Sequence, residues 1–162
     1  MLKERKAFTM MELIFVIVII GILSAVAVPK FAATRDSAVF AKSKTTLAAV
    51  RNSISTERQK RILRGDFTPI NDLDADPVGG RIFTTFNDSP APFNRPAAQR
   101  RVLEYNVQSG FNDGQWQKNG LVYTAYFKNG RGCAFALRAN RLAGIGGVGG
   151  MSAARCQEIF EN

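Results

Sequence analysis

Histidine is absent from this 162-residue chain, and acidic residues are few, 13 against 22 Lys and Arg. The first absence removes the commonest general base and the commonest zinc ligand. A serine or cysteine nucleophile would lack its usual activating partner, and the scattered Asp and Glu form no paired arrangement suited to acid–base work. The sequence therefore predicts a protein that is not an enzyme. Thiols are scarce as well, Cys133 and Cys156 alone, which argues against a redox or metal role for them. No internal repeat is visible, and the residues beyond position 30 suffice for one small core and not for two.

What the chain does have is a long apolar run. Residues 6–29 read KAFTMMELIFVIVIIGILSAVAVP, with Glu12 as the single acid and no charge among the 16 residues from Leu13 to Val28. A helix counted from Phe8 to the end of that run would rise about 32 Å at ~1.5 Å per residue, enough to cross a bilayer core. A cleaved secretory signal is one reading, since Ser24-Ala25-Val26-Ala27 offers small residues for a cleavage site, but Glu12 sits badly at the front of such a stretch. A plain membrane anchor is another, and it gains nothing from the acid. A carboxylate in a membrane helix is unfavourable by roughly 2.5–3.5 kcal/mol at the bilayer centre, and by less near the interface.

The residues Ala7-Phe8-Thr9-Met10-Met11-Glu12-Leu13, followed by the apolar run and Pro29, resemble the class III leader and first helix of type IV prepilins and of type II secretion pseudopilins. The resemblance implies that prepilin peptidase cuts on the cytoplasmic side between Ala7 and Phe8 and that Phe8 becomes N-methylated. Glu12 matches the family's acid, which pairs with the new amine of a neighbouring subunit as helices leave the membrane for a filament. An unpaired buried carboxylate would be costly, so such a pair acts mainly as a register device. Two positions depart from the usual pattern: Ala7 stands where the family has glycine, and Met10 where leucine is commoner. Gly21 and Pro29 are about 1 and 3 kcal/mol worse than Ala inside a helix. Between them lies a weak stretch that either loosens during assembly, as the resemblance implies, or holds a static kink of the kind membrane helices tolerate.

The same resemblance implies a structural subunit of a type II secretion pseudopilus or a type IV pilus-like filament, supporting protein secretion. The second reading is a minor or competence pilin that binds DNA during natural transformation. The implied partners are further pilin-like subunits in homo- and hetero-oligomers, prepilin peptidase and an inner-membrane assembly platform. The implied location is the bacterial inner membrane, crossed once, with the N-terminus cytoplasmic and the head periplasmic or extracytoplasmic. Lys3, Arg5 and Lys6 agree with the positive-inside rule, although Lys30 and Arg35 blunt the charge argument.

Three segments follow: a leader at 1–7, a transmembrane and filament-core helix at 8–29, and a head at 30–162 that includes the amphipathic rear of the helix. Phe40, Leu47, Val50 and Ile54 mark an apolar helical face, Lys60, Arg61 and Arg64 suit a helix C-terminus, and Gly65 supplies a stop. Residues 66–100 read as an irregular connection, with a short strand or turn of helix at Arg81–Phe86. Strands are predicted at Val102–Val107, around Trp116–Gln117, at Leu121–Lys128 and at Cys133–Arg138, with turns at Asn119-Gly120 and Asn129-Gly130. Gly144–Gly150, with five glycines, reads as a loop that holds no single conformation by itself, and Ser152–Phe160 as a closing helix. The fold class is α+β, a pilin-like fold in which a long N-terminal helix packs against a small antiparallel sheet.

In the oxidising compartment that this orientation implies, Cys133 and Cys156 pair, as in the C-terminal disulfide loop of many pilins. Such a closure contributes roughly 3–3.5 kcal/mol by the chain-entropy estimate. Asp72, Asp74 and Asp76 alternate like the start of a calcium loop, without the glycine and distant glutamate of the full motif. Otherwise no cofactor is expected. The pseudopilin calcium site near the end of the head would find only Glu158 and Glu161 here and is not carried over. Positive charge concentrates at residues 30–65, nine Lys and Arg against Asp36 and Glu57, which reads as a solvated helix face meeting acids of neighbouring subunits. Arg95, Arg100 and Arg101, with Phe93 for stacking, are the better exposed candidates for nucleic acid.

Overall fold

The computed structural model describes residues 8–73, 80–87, 92–93, 95–96, 99–105 and 107–161. It divides into two compact units at Ser37/Ala38. Helix α1, Met10–Leu63, is 54 residues long and belongs to both. In the first unit its large apolar side chains from Met10 to Phe31 lie exposed. Pro29 lies inside this helix and does not end it, although its missing N–H removes one rung of the i→i−4 ladder.

In the second unit the rear of α1 turns Leu47, Val50 and Ile54 into the core, at the 3- and 4-residue spacings that keep side chains on one helical face. Phe40 is half-buried, its ring 4.7 Å from that of Phe127. Gly65 ends the helix with φ +79°, a conformation that favours glycine, while the Asp66 N–H donates to the Arg61 carbonyl at 2.9 Å.

Four antiparallel strands form the main sheet in the order β3 (Trp116–Asn119), β4 (Val122–Tyr126), β5 (Gly132–Arg138), β6 (Arg141–Val148). A second, two-stranded sheet pairs β1 (Arg81–Ile82) with β2 (Val107–Gln108). Trp116, Tyr123, Ala125, Cys133, Phe135 and Leu137 alternate along β3–β5 onto one face and are buried. Their rings build a connected cluster: Phe83 packs on Trp116 and Tyr123, Trp116 on Phe135, and Phe135 edge-on against Phe160 at 5.0 Å. Phe160 belongs to α2 (Ala153–Glu161). Ser152 caps that helix, its hydroxyl accepting from the Arg155 N–H at 3.2 Å.

The long helix and small antiparallel sheets make the expected α+β arrangement, with three local differences. The glycine-rich stretch is a strand for most of its length. The Ala139-Asn140 turn, with φ +47° and +66°, folds residues 141–148 back along β5, so the backbone ladder supplies the order that side chains do not. The register shifts at Ala134/Phe135. The predicted strand at Val102–Val107 is not found among the described residues: of these only Val107 enters a strand, β2. The connection after residue 65 is irregular in backbone but not peripheral. It gives Ile70, Leu73, Ile82, Phe83 and Phe86 to the core.

Candidate functional site

The segment that carries the motif begins at Phe8, whose side chain is 81% exposed. Thr9 caps α1: its hydroxyl accepts from the Glu12 N–H at 3.2 Å, and its carbonyl accepts from the Leu13 N–H at 3.2 Å. Thr9-x-x-Glu12 is the sequence signature of a capping box, in which a hydroxyl and an acid three residues on satisfy the first orphan N–H groups of a helix. That signal was present in the sequence and sequence reasoning passed over it. Glu12 lies in the first turn, where the helix dipole favours negative charge. Its pattern is therefore set locally as well as by any partner. Of the proposed cleavage pair, Phe8 is described and Ala7 lies outside the described residues, as does the whole leader.

Helix α1 holds an 18-residue stretch with mean hydropathy 2.8 and none of it buried. By length and composition it is able to cross a membrane. A Cβ on Gly21 would meet nothing within 4 Å, so Gly21 is not required by packing within this chain.

In the second unit, Cys133 of β5 and Cys156 of α2 are joined by a disulfide with S–S 2.04 Å. It fixes the closing helix to the strand next to β6. Asp72 directs Oδ1 to Lys118 Nζ at 2.5 Å and accepts from the Tyr123 hydroxyl at 3.1 Å. Asp74 and Asp76 lie outside the described residues. No cluster of three metal-ligating side chains occurs among the described residues.

The loop arginines are not placed as expected. Arg95 is half-buried and pairs with Glu57, while Arg100 Nη1 donates to the Phe86 carbonyl at 3.2 Å. Both guanidiniums are drawn inward because the connection carries buried carbonyls and α1 carries a buried acid. Arg101 remains exposed and Phe93 is half-buried. The helix face is not uniformly solvated either: Arg61 is fully buried and bonded to Glu57 at 3.1 Å.

An α+β head and a membrane-length apolar helix opened by a Thr/Glu cap make a pilin-like arrangement. The family described as the prokaryotic N-terminal methylation motif matches residues 2–28. Over 79 residues the chain is 46% identical to the type IV narrow pilus major component PilA5 of Thermus thermophilus, a match spanning 48% of this chain and 64% of that pilin. The match thus covers less than two thirds of the relative. No solved structure matches the chain significantly. Both similarities are to type IV prepilin-like proteins.

Proposed function

We propose that the chain is a subunit of a type IV pilus-like filament, held in the inner membrane by the front of α1 until assembly. The observation that carries this is the front segment itself. Sixteen large apolar side chains exposed between Phe8 and Phe31, most of them within the methylation motif, need a non-aqueous environment. Lipid supplies it before assembly, and the packed helices of other subunits supply it afterwards. Prepilin peptidase cuts between Ala7 and Phe8, Phe8 is methylated, and Glu12 meets the amine of a neighbouring subunit. The secretion pseudopilus and the pilus share this front segment. The relative is a pilus component, which favours the pilus. The DNA-binding reading loses two of its three arginines to internal bonds.

Intact-mass analysis of the natural product tests the processing step. A chain starting at methylated Phe8 supports the reading, and a chain that keeps residues 1–7 or is cut after residue 27 overturns it. The assembly step is tested with Glu12→Ala, which is expected to be cleaved normally and to be missing from sheared filaments. Normal incorporation of that variant would remove the role assigned to Glu12.

A further inference from the structure

One groove of about 450 Å³ lies in the second unit, between the rear of α1 and the turn that joins β5 to β6. Arg51 and Arg58 line it from the helix, seven residues and so two turns apart on one face, and Arg141 lines it from the hairpin. Among the described residues no carboxylate lines it. Among the described residues none of these three arginines makes an ion pair. Two of them are nevertheless held in place. Arg51 Nε donates to the Leu142 carbonyl at 3.0 Å, and Arg58 Nη1 donates to the Thr68 carbonyl at 3.1 Å. Each thus spends part of its donor fork on the backbone and keeps the rest for the groove, which lowers the ordering cost of an incoming acceptor.

A second observation points the same way. Arg138 and Arg141 stand directly opposite each other as the pair that closes the β5–β6 hairpin. Like charges directly opposed across strands are destabilising. An anion at this end of the hairpin relieves that repulsion as well as the uncompensated charge of the helix arginines.

We propose that this groove is a docking site for an acidic peptide segment of a partner protein. Charge complementarity selects an anion, and the remaining chemistry selects a peptide. Gln59 and Asn140 line the groove with carboxamides. Asn140 Oδ1 accepts from the Ile70 N–H at 2.6 Å, which orients its amide. A carboxamide offers both a donor and an acceptor and so matches a peptide group, whereas a phosphodiester backbone offers acceptors only. The floor is aliphatic, made by Ile54 and Leu142, and among the described residues no aromatic ring lines the groove to stack a base. The site is independent of the front segment, so it stands whether or not the filament reading does.

The test uses the full chain in detergent micelles, with a fluorescein-labelled glutamate-rich peptide read by anisotropy. A single-stranded oligonucleotide of equal charge is the second probe. The expected result is saturable peptide binding that weakens about tenfold in the double variant Arg58→Gln/Arg141→Gln, a change of about 1.4 kcal/mol. The matched control Arg101→Gln/Arg131→Gln, which removes the same charge from exposed positions outside the groove, is expected to bind like the parent. Circular dichroism checks that every variant is folded, and Arg51→Gln, expected to weaken peptide binding in the same way, replaces the groove double variant if that one is not. Equal weakening in the control, no peptide binding, or an oligonucleotide that binds as tightly as the peptide through the same arginines would each overturn the proposal.

Discussion

Arg61 donates Nε to Glu57 Oε1 at 3.1 Å, one helical turn apart on α1, from a position with 0% exposure. Glu57 is itself 4% exposed, and the same oxygen receives Arg95 from the connection after the helix. Arg61 also gives Nη2 to the Asn87 carbonyl at 2.6 Å. The Glu57–Arg61 pair therefore ties the irregular connection to the helix at two points, Arg95 and Asn87.

Removing the Glu57 carboxylate takes an ion-pair partner from buried Arg61 and from half-buried Arg95. Glu57→Ala is expected to destabilise the second unit by roughly 3–5 kcal/mol, the usual consequence of breaking a buried ion pair from one side. Arg64, whose side chain is 36% exposed and 3.8 Å from the same acid, is a contrast. Arg64→Gln is expected to cost about 0–1 kcal/mol. Thermal unfolding of both variants checks the difference, and equal losses would show that Glu57 matters through bulk and not through charge.

The disulfide carries a separate load. Cys133 and Cys156 are 23 positions apart, so the paired Cys133→Ser/Cys156→Ser variant is expected to lose about 3 kcal/mol. Hydrogen exchange is the sharper reading: α2 should lose protection first, because Phe160 and the bridge are what hold it to β5. Uniform loss across the sheet would contradict this.

Two glycines of β6 differ sharply in what surrounds them. A Cβ on Gly147 would sit 2.1 Å from the Met151 carbonyl oxygen, whereas one on Gly144 would make ordinary contact with the Phe135 ring at 3.9 Å. Gly147→Ala is expected to destabilise by about 1–3 kcal/mol, as overpacking does. Gly144→Ala should be tolerated. Urea melts of the two variants compare them directly.

At the front of α1, Thr9→Ala removes the hydroxyl that accepts the Glu12 N–H. The expected cost is ~1 kcal/mol of local helix stability, seen as faster amide exchange at Met11 and Glu12 in micelles. Filament incorporation should persist. If Thr9→Ala fails to assemble just as Glu12→Ala is expected to, capping and not intersubunit pairing is the purpose of the acid.

Legibility in the sequence followed physical rules. The rear face of α1 was readable because Leu47, Val50 and Ile54 repeat with the helix, and β4 and β5 because Asn-Gly turns and alternating residues frame them. β6 was not, since glycine has no pattern to read and Ala139 is an unusual residue for positive φ. The inward turn of Arg61, Arg95 and Arg100 was also hidden: a charged side chain looks solvated until its buried partner, here Glu57 or a loop carbonyl, is located in space. The Thr9-x-x-Glu12 cap was legible and was overlooked because the apolar run beside it dominated the reading.

The outer strands of the main sheet have one further consequence. β3 is only four residues long and is bridged to Ser109, while β6 carries a register break and lies under α2. Neither border offers a long flat row of free backbone groups to a neighbour. Growth by lateral strand addition, the route taken by amyloid, is thus disfavoured at these two borders of the head.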